Sequence, residues 1–251
     1  MTAAVVAVAG LYGLAVGSFL NVVIHRVPLH LSVVRPGSAC PGCHAPIAAR
    51  DNVPVVSWLV LRGRCRACAM AIPARYPLVE ALTGALFVGV ALRFGLSPSL
   101  PAMLIFVAGL TALCFCDLDR LLLPTRIVYP TAALVGLSLV AAAAGTGSWH
   151  RLGVAAACAA GGFGLFFTIH FVSPRILGFG DVRLAPLIAG ALGWLGVSYA
   201  IAGFLLANVL GVAVGLALIA ARRHSRSSAL PYGAFLAAGA VAALGLGGLV
   251  P

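Results

Sequence analysis

Apolar residues fall in long runs along this chain, at roughly 3–24, 77–93, 99–116, 127–145, 152–172, 183–196, 198–220 and 230–250. Most of these runs approach the ~20 residues that a helix needs to cross ~30 Å of hydrocarbon. The pattern predicts an all-α polytopic membrane protein with about eight transmembrane helices. The sixth and seventh runs are short and have no charge between them, so Gly193-Trp194 is the expected turn. One extended polar segment interrupts the pattern between the first two runs. The chain thus divides into a first membrane helix at 1–25, a soluble insert at 26–75 and a membrane domain at 76–251.

Composition excludes a water-soluble protein: 62% of residues are hydrophobic, 8% are charged and the mean hydropathy is +1.12. Thirty glycines suit close helix packing in lipid, where small residues let backbones approach. The net charge of +11 does not point to nucleic acid, because its distribution has another cause. All sixteen basic residues are arginine: seven in 26–75, then Arg120 and Arg126, Arg175 and Arg183, and Arg222, Arg223 and Arg226, with only Arg93 and Arg151 elsewhere. Eight alternating spans put fourteen arginines on one side, and the positive-inside rule makes that side cytoplasmic, with both termini outside. The expected location is the cytoplasmic membrane, in contact with lipid, and no cleaved signal peptide is expected.

The insert carries Cys40-Pro41-Gly42-Cys43, then 21 residues, then Cys65-Arg66-Ala67-Cys68. Two such knuckles let four thiolates close a tetrahedron, and soft sulfur ligands select zinc or iron–sulfur over magnesium or calcium. A disulfide pair is the alternative, disfavoured by placement in a reducing compartment. The reading is a structural Zn²⁺ held by Cys40, Cys43, Cys65 and Cys68, because some fifty residues with few large apolar side chains need a staple. Cys114, Cys116 and Cys158 read as packing residues. His25, His30 and His44 are assigned no role.

Only five residues are acidic. Asp117 and Asp119 follow the third run, and Asp181 closes Gly178-Phe179-Gly180-Asp181 before the sixth. Carboxylates at membrane edges are expensive to keep and usually mark function. Alternating spans bring Asp117 and Asp181 to the same face. Held close, two carboxylates share a proton and can perform acid–base hydrolysis of a peptide bond. Gly178 and Gly180 are expected to allow close backbone approach and positive φ. Asp119 sits about 200° around the helix from Asp117 and is expected to point away. A pair of ordinary interfacial charges with arginine partners remains the plain alternative. A proton-coupled transporter using the two aspartates as a relay is a further one, though transporters often carry internal repeats and none is evident here.

The segments Gly17-Ser18-Phe19-Leu20-Asn21-Val22-Val23-Ile24-His25-Arg26, Arg35-Pro36 to Cys43, Gly63-Arg64-Cys65 to Cys68 and Arg75-Tyr76-Pro77-Leu78-Val79-Glu80 come in one order. Asp117-Leu118-Asp119 with Leu123-Pro124 follows, then Gly178-Phe179-Gly180-Asp181-Val182-Arg183-Leu184. Together they resemble the bifunctional prepilin peptidases, membrane aspartic proteases of the Gly-x-Gly-Asp type. The resemblance implies catalytic roles for Asp117 and Asp181, with Gly178, Gly180 and Asp119 as supporting motif positions. It implies cleavage of type IV prepilins and type II secretion pseudopilins at the cytoplasmic face of a prokaryotic inner membrane. It also implies S-adenosylmethionine-dependent methylation of the new N-terminus, associated with the cysteine-bearing insert and with Gly63. A peptidase that has lost methylation, with a purely structural zinc insert, is the nearest alternative. Thr125 stands where the family usually has Asp or Asn, and Arg183 where Lys is usual, an exchange that is not neutral.

Overall fold

The computed structural model describes residues 3–174, 177–221 and 230–246. Arg175, Arg222, Arg223 and Arg226, which enter the charge argument, lie outside them. Among the described residues the membrane-type elements are all helical: α1 (Ala3–Arg26), α2 (Val56–Val60), α3 (Arg75–Phe94), α4 (Leu100–Arg120), α5 (Thr125–Thr146), α6 (Trp149–Val172), α7 (Phe179–Gly193), α8 (Val197–Ala220) and α9 (Tyr232–Gly245). Among the described residues, six helices are long and apolar enough to cross a membrane. The expected eight spans are therefore six full-length helices plus α7 and α9, which at 15 and 14 residues fall short. Hydropathy alone merged helix with flanking apolar turn: α7 stops at Gly193, and α8 starts after a turn in which Gly196 takes φ 141.

The chain forms two compact units, Met1–Gly95 and Leu96–Pro251. In the first, α1 and α3 pack antiparallel along a row of small residues. A Cβ at Gly13 would lie 2.9 Å from the Gly84 Cα, and one at Gly17 would lie 2.7 Å from the Glu80 Cα. Backbones this close suit helix association in lipid, where packing replaces the hydrophobic effect as the driving force. Asn21 ties the pair by donating its side-chain N–H to the Tyr76 carbonyl at 3.1 Å. The insert that links them is mostly turns, with one short helix, α2, and two isolated antiparallel bridges, Ala39 with Pro46 and Arg64 with Ala71.

In the second unit α4 is one of the interior helices. Met103, Phe106, Leu110 and Leu113 are fully buried, and α4 packs against α5 and α9. Helix α7 is the other interior element. It contacts α6, α8, α5 and α9, and buries Leu184, Ile188 and Leu192. Its antiparallel seam with α6 is again built from small residues: a Cβ at Gly162 would lie 2.8 Å from that of Ala189. On α8 the residues Ile201, Leu205, Val209, Val212 and Leu216 stay exposed, an apolar face that only lipid would favour. These features define a multi-pass membrane protein whose two short interior helices begin where its acidic residues lie.

Candidate functional site

Two polar centres stand out, one in each unit. In the second unit, α4 ends where Leu121 turns left-handed (φ 51) and donates its N–H to the Asp117 carbonyl at 2.8 Å. Asp117 therefore sits in the last helical turn, only 5% exposed, whereas Asp119 two residues on is exposed, as the helical phase predicted. Asp181 lies in the first turn of α7 and is 8% exposed. The two carboxylates lie within electrostatic range of each other.

A third element completes the site, and sequence reasoning missed it. The N–H of Ala234, at the start of α9, donates to Asp117 Oδ2 at 3.0 Å. An amide at a helix N-terminus favours a negatively charged acceptor and fixes its orientation. The signal lay in Pro231-Tyr232-Gly233-Ala234, a Pro-x-Gly start to a helix, but nothing local marked it as the partner of a residue 117 positions earlier. Tyr232 lies within electrostatic range of Asp181, and its hydroxyl donates to Asn208 Oδ1 at 3.3 Å.

Leu123, in the α4–α5 turn, joins the three helix ends. A Cβ at Gly180 would lie 3.2 Å from the Leu123 Cβ, and one at Gly233 would lie 2.9 Å from its methyls and 3.0 Å from Asp117 Oδ2. The expectation that Gly178 and Gly180 supply positive φ is corrected here. Gly178 has φ −69 and Gly180 is helical, so these glycines make room and need no left-handed backbone. A Cβ at Gly178 would meet Asp181 Oδ2 at 3.3 Å. Phe179 between them stacks under the Arg183 guanidinium at 4.5 Å, a cation–π contact. Helix α5 begins at Thr125 with Pro124 preceding it and no side-chain cap.

In the first unit the Sγ atoms of Cys40, Cys43, Cys65 and Cys68 all lie within 4.8 Å of one another, and those of Cys40 and Cys68 are 3.7 Å apart. Tetrahedral zinc with Zn–S near 2.3 Å requires S···S of about 3.8 Å, so the four thiols fit the ion. The backbone amides of Cys43 and Gly42 hold the Cys40 thiol down, at about 6. The Met70 amide pulls Cys68 the same way, but Cys43, burial and the other two thiols outweigh it and push Cys68 up to about 12. Such a set sheds its remaining protons when a cation arrives.

The two knuckles are one motif used twice. Cys40 N–H donates to the Ala45 carbonyl and His44 N–H to that of Cys40. Likewise, Cys65 N–H donates to Met70 and Ala69 N–H to Cys65. His44 and Ala69 share φ near 59 and 58. No repeat was expected from the sequence, yet Ser38–Ile47 and Gly63–Ile72 repeat at the backbone level. Gly63 opens the second copy with φ 66, and a Cβ there would lie 2.9 Å from the Trp58 ring.

Together these features define a membrane protein with two buried aspartates at helix ends and, in its first unit, a four-cysteine cluster that could hold a metal ion. Residues 11–94 match the bacterial peptidase A24 N-terminal domain, and residues 104–216 match the type IV leader peptidase family. The chain is 36% identical over 259 residues to the prepilin leader peptidase/N-methyltransferase of Aeromonas hydrophila, covering 90% of this chain and 86% of that protein. Its identity to the protein of the same name from Myxococcus xanthus is 42% over 215 residues, covering 83% of this chain and 62% of the relative. With the Stutzerimonas stutzeri protein of that name it is 34% over 261 residues, covering 92% and 88%. No solved structure matches it significantly. The chain belongs to the type IV leader peptidase family.

Proposed function

We propose that this protein cleaves the leader peptide of type IV prepilins, and of type II secretion pseudopilins, at the cytoplasmic face of a prokaryotic inner membrane, and then methylates the new N-terminus. The observation that supports the peptidase reading is that two buried aspartates, Asp117 in the last turn of α4 and Asp181 in the first turn of α7, lie within electrostatic range of each other. Two carboxylates within electrostatic range of each other favour a shared proton. The ionised carboxylate takes a proton from water as its oxygen attacks the scissile carbonyl. The protonated one gives its proton to the leaving nitrogen as the C–N bond breaks. The Ala234 amide orients Asp117 for either role. Gly178 and Gly180 leave room around Asp181, and Asp119 takes no direct part.

The four cysteines would hold one structural zinc ion that keeps the insert folded. S-adenosylmethionine would supply the methyl group, and the insert, with Gly63 in its second knuckle, is where we place that activity. Loss of methylation with cleavage kept is the nearest competing reading. Co-expression with one prepilin, followed by mass spectrometry of the product, tests both activities. The expected product lacks its leader and carries one added methyl at the N-terminus. A cleaved but unmethylated product would leave a peptidase alone, and an intact precursor would refute the proposal.

A further inference from the structure

Glu80 is the third buried acid, 8% exposed within α3, and the peptidase site does not use it. A buried carboxylate is costly unless it is hydrogen-bonded. Its Oε2 accepts the backbone N–H of Val55 at 2.7 Å, across 25 residues of insert. Val55 holds φ 61 and ψ −49, a conformation that a β-branched residue adopts only when its surroundings enforce it.

Contacts run onward from that point to the metal module. Helix α2 starts at Val56, and the Ser57 hydroxyl locks the preceding turn by accepting from Val53 N–H at 2.9 Å and donating to the Arg50 carbonyl at 3.1 Å. Trp58, one residue further, donates its indole N–H to the Ile72 carbonyl at 3.0 Å, and its ring covers Gly63. Ile72 N–H donates to the Gly63 carbonyl at 2.7 Å, closing the second knuckle. A single carboxylate on a membrane helix thereby fixes the loop on which the four-cysteine module rests.

We propose that Glu80 is a positioning residue for methyl transfer: through Val55 and Trp58 it holds the insert in register with the α1–α3 pair. The proposal rests on the reading that methylation belongs to the insert. The Glu80 side chain acts as an acceptor, so a neutral acceptor of the same length replaces it and a methyl group does not.

The test uses the full-length protein in detergent, comparing Glu80→Gln with Glu80→Ala. Leader cleavage and zinc content, both unchanged, establish that each variant is folded. Glu80→Ala is expected to lower kcat for methyl transfer to a pre-cleaved pilin about 10- to 100-fold, the scale of a misplacement of ~1 Å. KM for the methyl donor should hold, and Glu80→Gln should restore most of the rate. Hydrogen exchange at the Val55 amide should be slow in wild type and Glu80→Gln and fast in Glu80→Ala. Equal loss of methylation in both variants with Val55 still protected would overturn the proposal in favour of a direct role for the charge. Unchanged methylation in Glu80→Ala would also overturn it. Zinc-free Cys40→Ser/Cys65→Ser separates the two ideas: if it too methylates normally, the placement of methylation in the insert has failed. If it does not, only the tether has.

Discussion

At the scale of single residues, the helix ends are held against Leu123: Gly180 and Gly233 both face it, and Gly233 also faces Asp117 Oδ2. Two carboxylates at membrane edges are conspicuous in a chain with five acids, and the phase of one helix separated Asp117 from Asp119. Of the two reasons expected for Gly178 and Gly180, positive φ failed and close approach held, Gly178 facing Asp181 Oδ2 and Gly180 facing Leu123 from another turn of the chain. That geometry makes a graded prediction. Gly233→Ala would press a methyl against Leu123 and Asp117 Oδ2, at 2.9 and 3.0 Å, and should lower kcat for leader cleavage by more than about tenfold. Gly161→Ala meets nothing within 4 Å on α6. It should leave cleavage unchanged and gain up to ~1 kcal/mol of helix propensity. Steady-state processing assays and thermal denaturation of the three proteins in one detergent check both outcomes. Asp119→Asn should keep most activity, since that side chain is exposed.

At the scale of elements, the cysteine spacing announced the four-cysteine cluster, but its internal repeat was hidden. The repeat is carried by backbone hydrogen bonds and left-handed residues, and those tolerate different side chains: His44 in one copy stands where Ala69 does in the other. Among the described residues hydropathy likewise located the membrane helices; the sixth run is no longer than α7, and 247–250 of the eighth run lie outside the described residues. Apolar turns score like apolar helix, which is why the sixth run continues to 196 although α7 stops at Gly193. Elemental analysis of purified protein should find one zinc per chain. Cys40→Ser/Cys65→Ser should lose it, loosening the insert while α4, α7 and α9 keep their packing. That variant should therefore still cleave, and methylation should fail first. Full zinc retention by the double variant would remove the assignment.

For the whole molecule, arginine asymmetry is expected to orient the chain with its arginine-rich side cytoplasmic, and the exposed apolar residues of α5, α6 and α8 are the faces expected to meet lipid. Reporter fusions at Ser32 should read cytoplasmic, and those at Ser99 and Thr146 external. An external signal at Ser32 would invert the topology and move both aspartates away from the cytoplasm. The proposed cleavage stands on Asp117 and Asp181 working as one acid–base unit. Its most direct measurement is gel-shift processing of a prepilin by purified, folded Asp117→Asn, Asp181→Asn and the double variant. Asn preserves size and cannot ionise, so each single change should abolish cleavage, and the double change should be scarcely worse, because groups acting as a unit are not additive. Normal processing by Asp181→Asn would contradict the account.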